Sequence, residues 1–184
     1  MLITITGKPC SGKGTISKTF CQKYNFEYVC AGDIMRSIAK EQGYNNILEF
    51  QQQNKDIDKV DNYIDNFTSN IGKTKAHENV VIDSRLAWHF VEKSFKVFVN
   101  VNLNTASKRL VNAKRENEKV STLAQAKNAL RSRWAEENAR YEKLYGINNL
   151  NLKNYDLVIS STNLTPEQLA DKIYVNYKKF MQNA

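Results

Sequence analysis

Three residue types that carry familiar chemistries are scarce in this chain. The two histidines have no conspicuous carboxylate partner, so a His–carboxylate general base is not expected. The three cysteines, Cys10, Cys21 and Cys30, are odd in number and lack metal-ligand spacing, which argues against a disulfide framework and a zinc-type site. Only two prolines occur, Pro9 and Pro166, and neither a repeat nor a low-complexity linker divides the 184 residues, so one domain with insertions is expected. No apolar run approaches the length of a membrane-spanning helix. No charged lead-in with an apolar core stands before Gly7, and a cytoplasmic location with reduced thiols is the expectation. Acidic residues are also in deficit, 19 against 27 basic, a net charge of +8. A merely basic surface and a site for polyanions both satisfy that charge, and nucleotides meet the second as well as nucleic acid does.

What is present gathers at the start. A short β-rich run, Leu2 to Thr6, ends at Gly7, and Gly12 and Lys13 follow before Ile16 and Phe20 set up a helical pattern. Strand, glycine-rich loop and helix together form a phosphate cradle: the loop amides turn inward, and the helix N-terminus adds partial positive charge. Gly7, Lys8, Pro9, Cys10, Ser11, Gly12, Lys13, Gly14 and Thr15 are therefore the candidate donor-nucleotide residues, with Lys13 reaching the outer phosphates. Position 14 is glycine rather than the Ser or Thr that commonly ligates Mg²⁺; the hydroxyl comes one place later, at Thr15. A lowered thiol pKa at Cys10 beside Lys13 is weighed against a small tolerated loop residue, and the second is favoured.

Downstream, the pattern predicts a helix over 13–24, a strand over 26–30, and a helix over 34–42 with Asp33 as its N-cap and Arg36 in its first turn. A cation there opposes the helix dipole, so a bound phosphate and plain exposure are weighed evenly. Residues 43–72 read as a polar helical insertion in which Asp58 and Asp61, one turn apart, are expected to be solvated rather than functional. A buried strand over 79–83 ends in Asp83, placed to hold a Mg²⁺-bound water, and Arg85 follows. A strand over 95–101, a helix over 104–115 carrying Lys108, Arg109, Lys114 and Arg115, and a mobile connection over 116–121 come next. A helix over 122–145 carries Arg133, Glu137 and Arg140 on one face, either as a surface ladder or as phosphate-directed arginines with a carboxylate between them. Leu130, Trp134, Tyr141 and Tyr145 form a neighbouring packing stripe, and Gly146 stops the helix. A strand over 156–160 precedes a last helix capped by Thr165, with Pro166 and Gln168 following it. The expected fold is α/β: a five-stranded parallel sheet with helices on both faces, one domain over 1–184, an acceptor-binding insertion over about 33–75 and a short lid over about 115–135 above the carboxyl ends of the strands.

The segments G-K-P-C-S-G-K-G-T, A-G-D-I-M-R-S-I-A, V-V-I-D-S-R-L-A-W, R-S-R-W-A-E-E-N-A-R-Y-E-K-L-Y-G-I and Y-D-L-V-I-S, in that order, resemble the short, archaeal-type cytidylate kinases within the nucleoside monophosphate kinases, which are P-loop NTPases. The resemblance covers nearly the whole chain. It implies γ-phosphoryl transfer from ATP, with Mg²⁺, to CMP or dCMP. It further implies Lys13, Arg133 and Arg140 in catalysis, and Asp33, Arg36, Arg85, Arg133, Glu137 and Arg140 on the acceptor. Asp83 lies near the metal through water, and Arg109 against the donor base. Ser84 stands where the family has glycine, and His89 follows Trp88. The reaction suits the composition, since phosphoryl transfer to a ready-ionised phosphate needs positioning and cations more than a base. Acceptors such as AMP, UMP or a small metabolite share the same fold and donor site. An RNA- or protein-directed nucleotide-binding module is a further alternative, but no aromatic-rich basic strand recommends nucleic acid. Small-molecule nucleotides acting on a monomer are the expected partners.

Overall fold

The computed structural model describes residues 2–45, 47–112 and 120–183. Strand β1 (Leu2–Gly7) is buried along its whole length, as its apolar and threonine residues require of a central strand. It pairs in parallel with β3 (Val80–Asp83) and β4 (Ser94–Asn100), with β2 (Glu27–Cys30) beyond β3 and β5 (Leu157–Ser160) beyond β4. The order β2-β3-β1-β4-β5 is an all-parallel, five-stranded sheet, as expected. The chain builds β2 and β3 on one side of β1 and then crosses to β4 and β5 on the other, so the crevice for a ligand opens at the carboxyl end of β1.

Helices α1 (Lys13–Tyr24) and α8 (Pro166–Asn183) cover one face, joining Ile16, Phe20, Leu169 and Ile173 to Ile3, Ile5, Val81 and Val97. Tyr24 and Tyr174 stack with ring centroids 3.8 Å apart across that helix pair. The other face packs Leu2, Val80 and Ile82 against Ile71 of α4 (Ile57–Thr74) and Ala87 of α5 (Ala87–Phe90), a short helix the pattern does not forecast. Helix α2 (Ala31–Glu41), α3 (Ile47–Gln53) and α4 enclose a small core of their own around Phe50, Val60 and Ile64. Burial of an aromatic as complete as that of Phe50 is worth roughly 1.5–3 kcal/mol, which lets the insertion hold its shape while resting on the sheet. Helix α6 (Leu103–Asn112) pairs with α7 (Leu123–Tyr145) through Ala106, Leu110, Ala126 and Leu130.

Two expectations change. The helix after β2 begins at Ala31, directly from the strand, with Cys30 at the N-cap in extended conformation and no side-chain cap bond. Asp33 is thus inside the first turn rather than capping it, and Arg36 stands one turn further along, bonded to Asp33. The strand feeds the helix without a loop residue, so the capping position falls on a cysteine, which does not signal it. Asp61, expected to be solvated, is 6% exposed. Asp58 is exposed. The connection expected over 116–121 and the charged end of the preceding helix, Lys114 and Arg115, lie largely outside the described residues, as does part of the lid.

Candidate active site

The loop after β1 is shaped by its glycines at two points. A side-chain carbon on Gly7 would come 2.3 Å from the Val99 carbonyl oxygen, so only glycine allows β1 and β4 to run this closely into the turn. Gly12, with φ +80°, takes the left-handed conformation that starts α1 at Lys13. Residues Lys8 to Thr15 line one cavity, together with Lys18, Tyr28 and Arg109. Arg109 is fixed there from α6: its guanidinium donates to the Cys10 carbonyl at 3.2 Å, the Ser161 hydroxyl at 3.0 Å and the Ser161 carbonyl at 2.6 Å. Lys8 lies 4.1 Å from the centre of the Trp134 ring, and burial lowers its ammonium pKa.

Asp83, at the end of β3, is buried beneath the loop. Lys13 donates to its Oδ1, and the Tyr28 hydroxyl donates to its Oδ2 at 3.2 Å. Burial and the Asp83 charge push the Tyr28 phenol upward, so it stays a proton donor. No cluster of three or more His, Cys, Asp or Glu able to hold a metal occurs among the described residues. Asp83 and the Thr15 hydroxyl fit an ion held mainly by nucleotide phosphates and water.

A second cavity opens under the insertion. Ala31, Met35, Gln51, Ile64 and Leu86 supply most of its uncharged wall, and Asp61, Asp65 and Tyr141 its far polar wall. Six residues belong to both cavities: Lys13, Gly32, Arg36, Asp83, Arg85 and Arg133. The two chambers therefore meet at four cations. Arg85 donates to the Gly7 carbonyl and pairs through Nε with Glu137 Oε2 at 3.1 Å; Arg133 Nε donates to Glu137 Oε1 at 3.0 Å. Glu137 is thus the clasp between an arginine that follows β3 and one on α7. Burial pushes its carboxyl upward, but the surrounding Arg85, Arg133 and Arg140 outweigh this and hold it below the ordinary value.

The structure brings Lys13, Arg36, Arg85, Arg133, Glu137 and Asp83 together, with Asp33 beside Arg36. Arg140 is apart from that junction: its Nε lies 2.9 Å from Asp61 Oδ2, an ion pair out of line for a hydrogen bond, since neither atom has a hydrogen-bond partner. Ser84 lines the second cavity, and its hydroxyl accepts the Leu86 amide at 3.3 Å, which explains how serine serves this turn. His89 is exposed and lines neither cavity. Sequence reasoning passed over Tyr28, Met35, Gln51 and Asp65, and took Asp61 for a solvated residue. Asp61 and Asp65 carry a usable signal: they share the face of α4 that holds Ile64, Thr68 and Ile71, all buried.

With this geometry, the chain can hold two anionic ligands end to end across a cationic seam. A family model described as cytidylate kinase-like matches residues 2–163. A cytidylate kinase of Methanococcus aeolicus is 35% identical over 88% of this chain and 89% of its own. An S-adenosylmethionine-dependent nucleotide dehydratase of Lacinutrix mariniflava is 38% identical over 96% of this chain, which spans only 36% of that longer protein. Among solved structures, shikimate kinase from Bacteroides thetaiotaomicron superposes with a TM-score of 0.65 over 98% of both chains at 15% identity, a likeness of fold. The family match spans most of the chain, its phosphate-loop motif and parallel sheet included, and the chain belongs to the cytidylate kinase-like family of P-loop kinases.

Proposed function

We propose that this protein transfers the γ-phosphoryl group of ATP to CMP or dCMP, as a cytoplasmic monomer. The observation that carries the reading is the seam of Lys13, Arg36, Arg85 and Arg133 shared by the two cavities. Negative charge on a group passing between two phosphates is spread over its oxygens, and fixed cations lower its energy more than any general base does. Lys13 and the loop amides take the donor phosphates, and Arg109 supports the loop on the donor-base side. Arg36, oriented by Asp33, and Arg85 grip the acceptor phosphate. Arg133 bridges donor and acceptor, released from Glu137 when phosphate competes for it. Glu137 orients both arginines beside the acceptor ribose. Mg²⁺ bound with ATP would neutralise phosphate charge, with Asp83 holding one of its waters and Thr15 close by. Arg140 acts from the lid helix through its contact with the insertion. The insertion over 33–75 and the lid over 115–135 are the parts that close and exclude water.

A coupled ADP-release assay with ATP and Mg²⁺ against CMP, dCMP, UMP, AMP and GMP tests the reading. Fast release with CMP or dCMP alone is expected, and lost in Lys13→Ala. Release with AMP or UMP instead keeps the chemistry and moves the acceptor; silence with all five turns attention to metabolite or RNA partners. The dehydratase-named relative favours a second reading, in which the acceptor is a nucleoside monophosphate already altered by dehydration. That acceptor would then outperform CMP in the same assay.

A further inference from the structure

The acceptor cavity is polarised in a way that the phosphate chemistry does not use. Its seam end carries Lys13, Arg36, Arg85 and Arg133; Lys13 pairs with Asp83, Arg36 with Asp33, and Arg85 and Arg133 share Glu137. Two further carboxylates, Asp61 and Asp65, line the same cavity from one face of α4. Both are buried, at 6% and 8% exposure, a costly placement for charge unless something repays it. Asp65 Oδ2 accepts one hydrogen bond, from the Tyr145 hydroxyl at 2.5 Å. Asp61 Oδ2 accepts none from any described residue; burial pushes its carboxyl upward, and the adjacent Arg140 offsets only part of that rise. Both carboxylates are backed from α7, by Arg140 and Tyr145, and both line the cavity. Met35, Ile64 and Leu86 supply apolar surface in the same chamber, suited to a flat ring.

We infer that Asp61 and Asp65 form the base-reading wall of the acceptor cavity and select a base with an exocyclic amino group over one with an oxo group. The inference rests on the nucleoside monophosphate reading above and names what that site recognises. An amino group donates two N–H bonds to carboxylate oxygens, whereas the oxo group of uracil places lone pairs against them. Arg140 is a positioning residue here, placed against Asp61 Oδ2.

The test compares kcat/KM for CMP, UMP and the 4-deamino analogue of CMP, pyrimidin-2-one riboside 5′-monophosphate, in the wild-type protein, Asp61→Asn and Asp65→Asn. A buried polar site deprived of its partner discriminates strongly, so wild-type kcat/KM is expected to fall about 100-fold or more from CMP to either analogue. Either variant should reduce that ratio about tenfold, mainly through the KM for CMP, while the KM for ATP stays unchanged. The analogue comparison uses the intact protein, and Asp65→Asn leaves the Asp61–Arg140 pair in place, so misfolding of Asp61→Asn does not decide the outcome. Equal use of CMP and UMP by the wild type would overturn the base-reading wall and leave the kinase chemistry standing. Proportional loss with all acceptors in both variants would reduce the two carboxylates to a structural role. No transfer to any monophosphate would overturn the acceptor reading and this inference together.

Discussion

Arg36 and Arg133 both line the seam between the cavities, yet they are held differently. Arg36 is more than half exposed and tied to Asp33 on its own helix; Arg133 is three-quarters buried and tied to Glu137, which also holds Arg85. Arg36→Ala is therefore expected to raise the acceptor KM about tenfold, with little change in the KM for ATP, as the loss of one charge-assisted contact implies; equal effects on both would remove its acceptor role. Arg133→Ala should lower kcat by about 10²–10³, the cost of one oriented donor at a developing charge, and an unchanged kcat would make it a ladder residue. Asp65 gives a pH-dependent prediction. Burial lifts its carboxyl to about 6 from an ordinary 3.8; the Tyr145 hydrogen bond and Arg140 oppose that lift, while Asp61 adds to it. The native state then binds the proton more tightly than the unfolded chain, and the ionised group subtracts stability as pH rises from about 4 to about 6. Asp65→Asn should stabilise the protein by about 1–2 kcal/mol at pH 8, less than the full shift implies because water reaches part of the group, and by almost nothing at pH 4. Denaturant unfolding at both pH values checks it, and an effect that does not change with pH would refute it.

At the scale of elements, the long helix α7 joins the site to the rest of the molecule. It starts on a capping box: Gln125 donates its amide to the Thr122 hydroxyl at 3.2 Å, and the Gln125 side chain accepts the Thr122 amide at 3.2 Å. It ends at Gly146 in the left-handed conformation, φ +67°. Thr122→Ala should cost about 1 kcal/mol of stability in urea unfolding, while kcat changes little, because Arg133 and Glu137 sit turns away. A large fall in kcat would mean that the first turn of α7 takes part in closure. The termini of α1 and α7 and the capping box of α8 at Thr165 and Gln168 were legible in local chemistry. The start of α2 was not, because a strand that runs straight into a helix leaves no Ser, Thr, Asp or Asn at the cap.

At the scale of the whole molecule, two chambers with a common cationic wall suit the proposed transfer only if both nucleotides are bound at once. Initial-velocity lines for ATP and CMP should intersect, and an adenosine–cytidine bisubstrate polyphosphate should raise the melting temperature more than either nucleotide at equal concentration, since a linked ligand fills both cavities without a second loss of freedom and so binds more tightly. Parallel lines would point to a phosphorylated enzyme and contradict the shared seam.

The sequence by itself determined the parallel α/β architecture, the glycine-rich loop and all four cations at the seam. These rest on local rules: strand and helix periodicity, glycine at a crowded turn, and caps at helix ends. Only the tertiary structure decided which charges meet. Asp61 and Arg140 are far apart along the chain and lie on helices that each read as polar-faced alone; their burial follows from the packing of the insertion against α7. Likewise, Glu137 reads as one rung of a helical ladder, and becomes a clasp only because the turn after β3 delivers Arg85 to its other oxygen. A charge's environment is set by what packs over it, and local pattern carries no record of that partner.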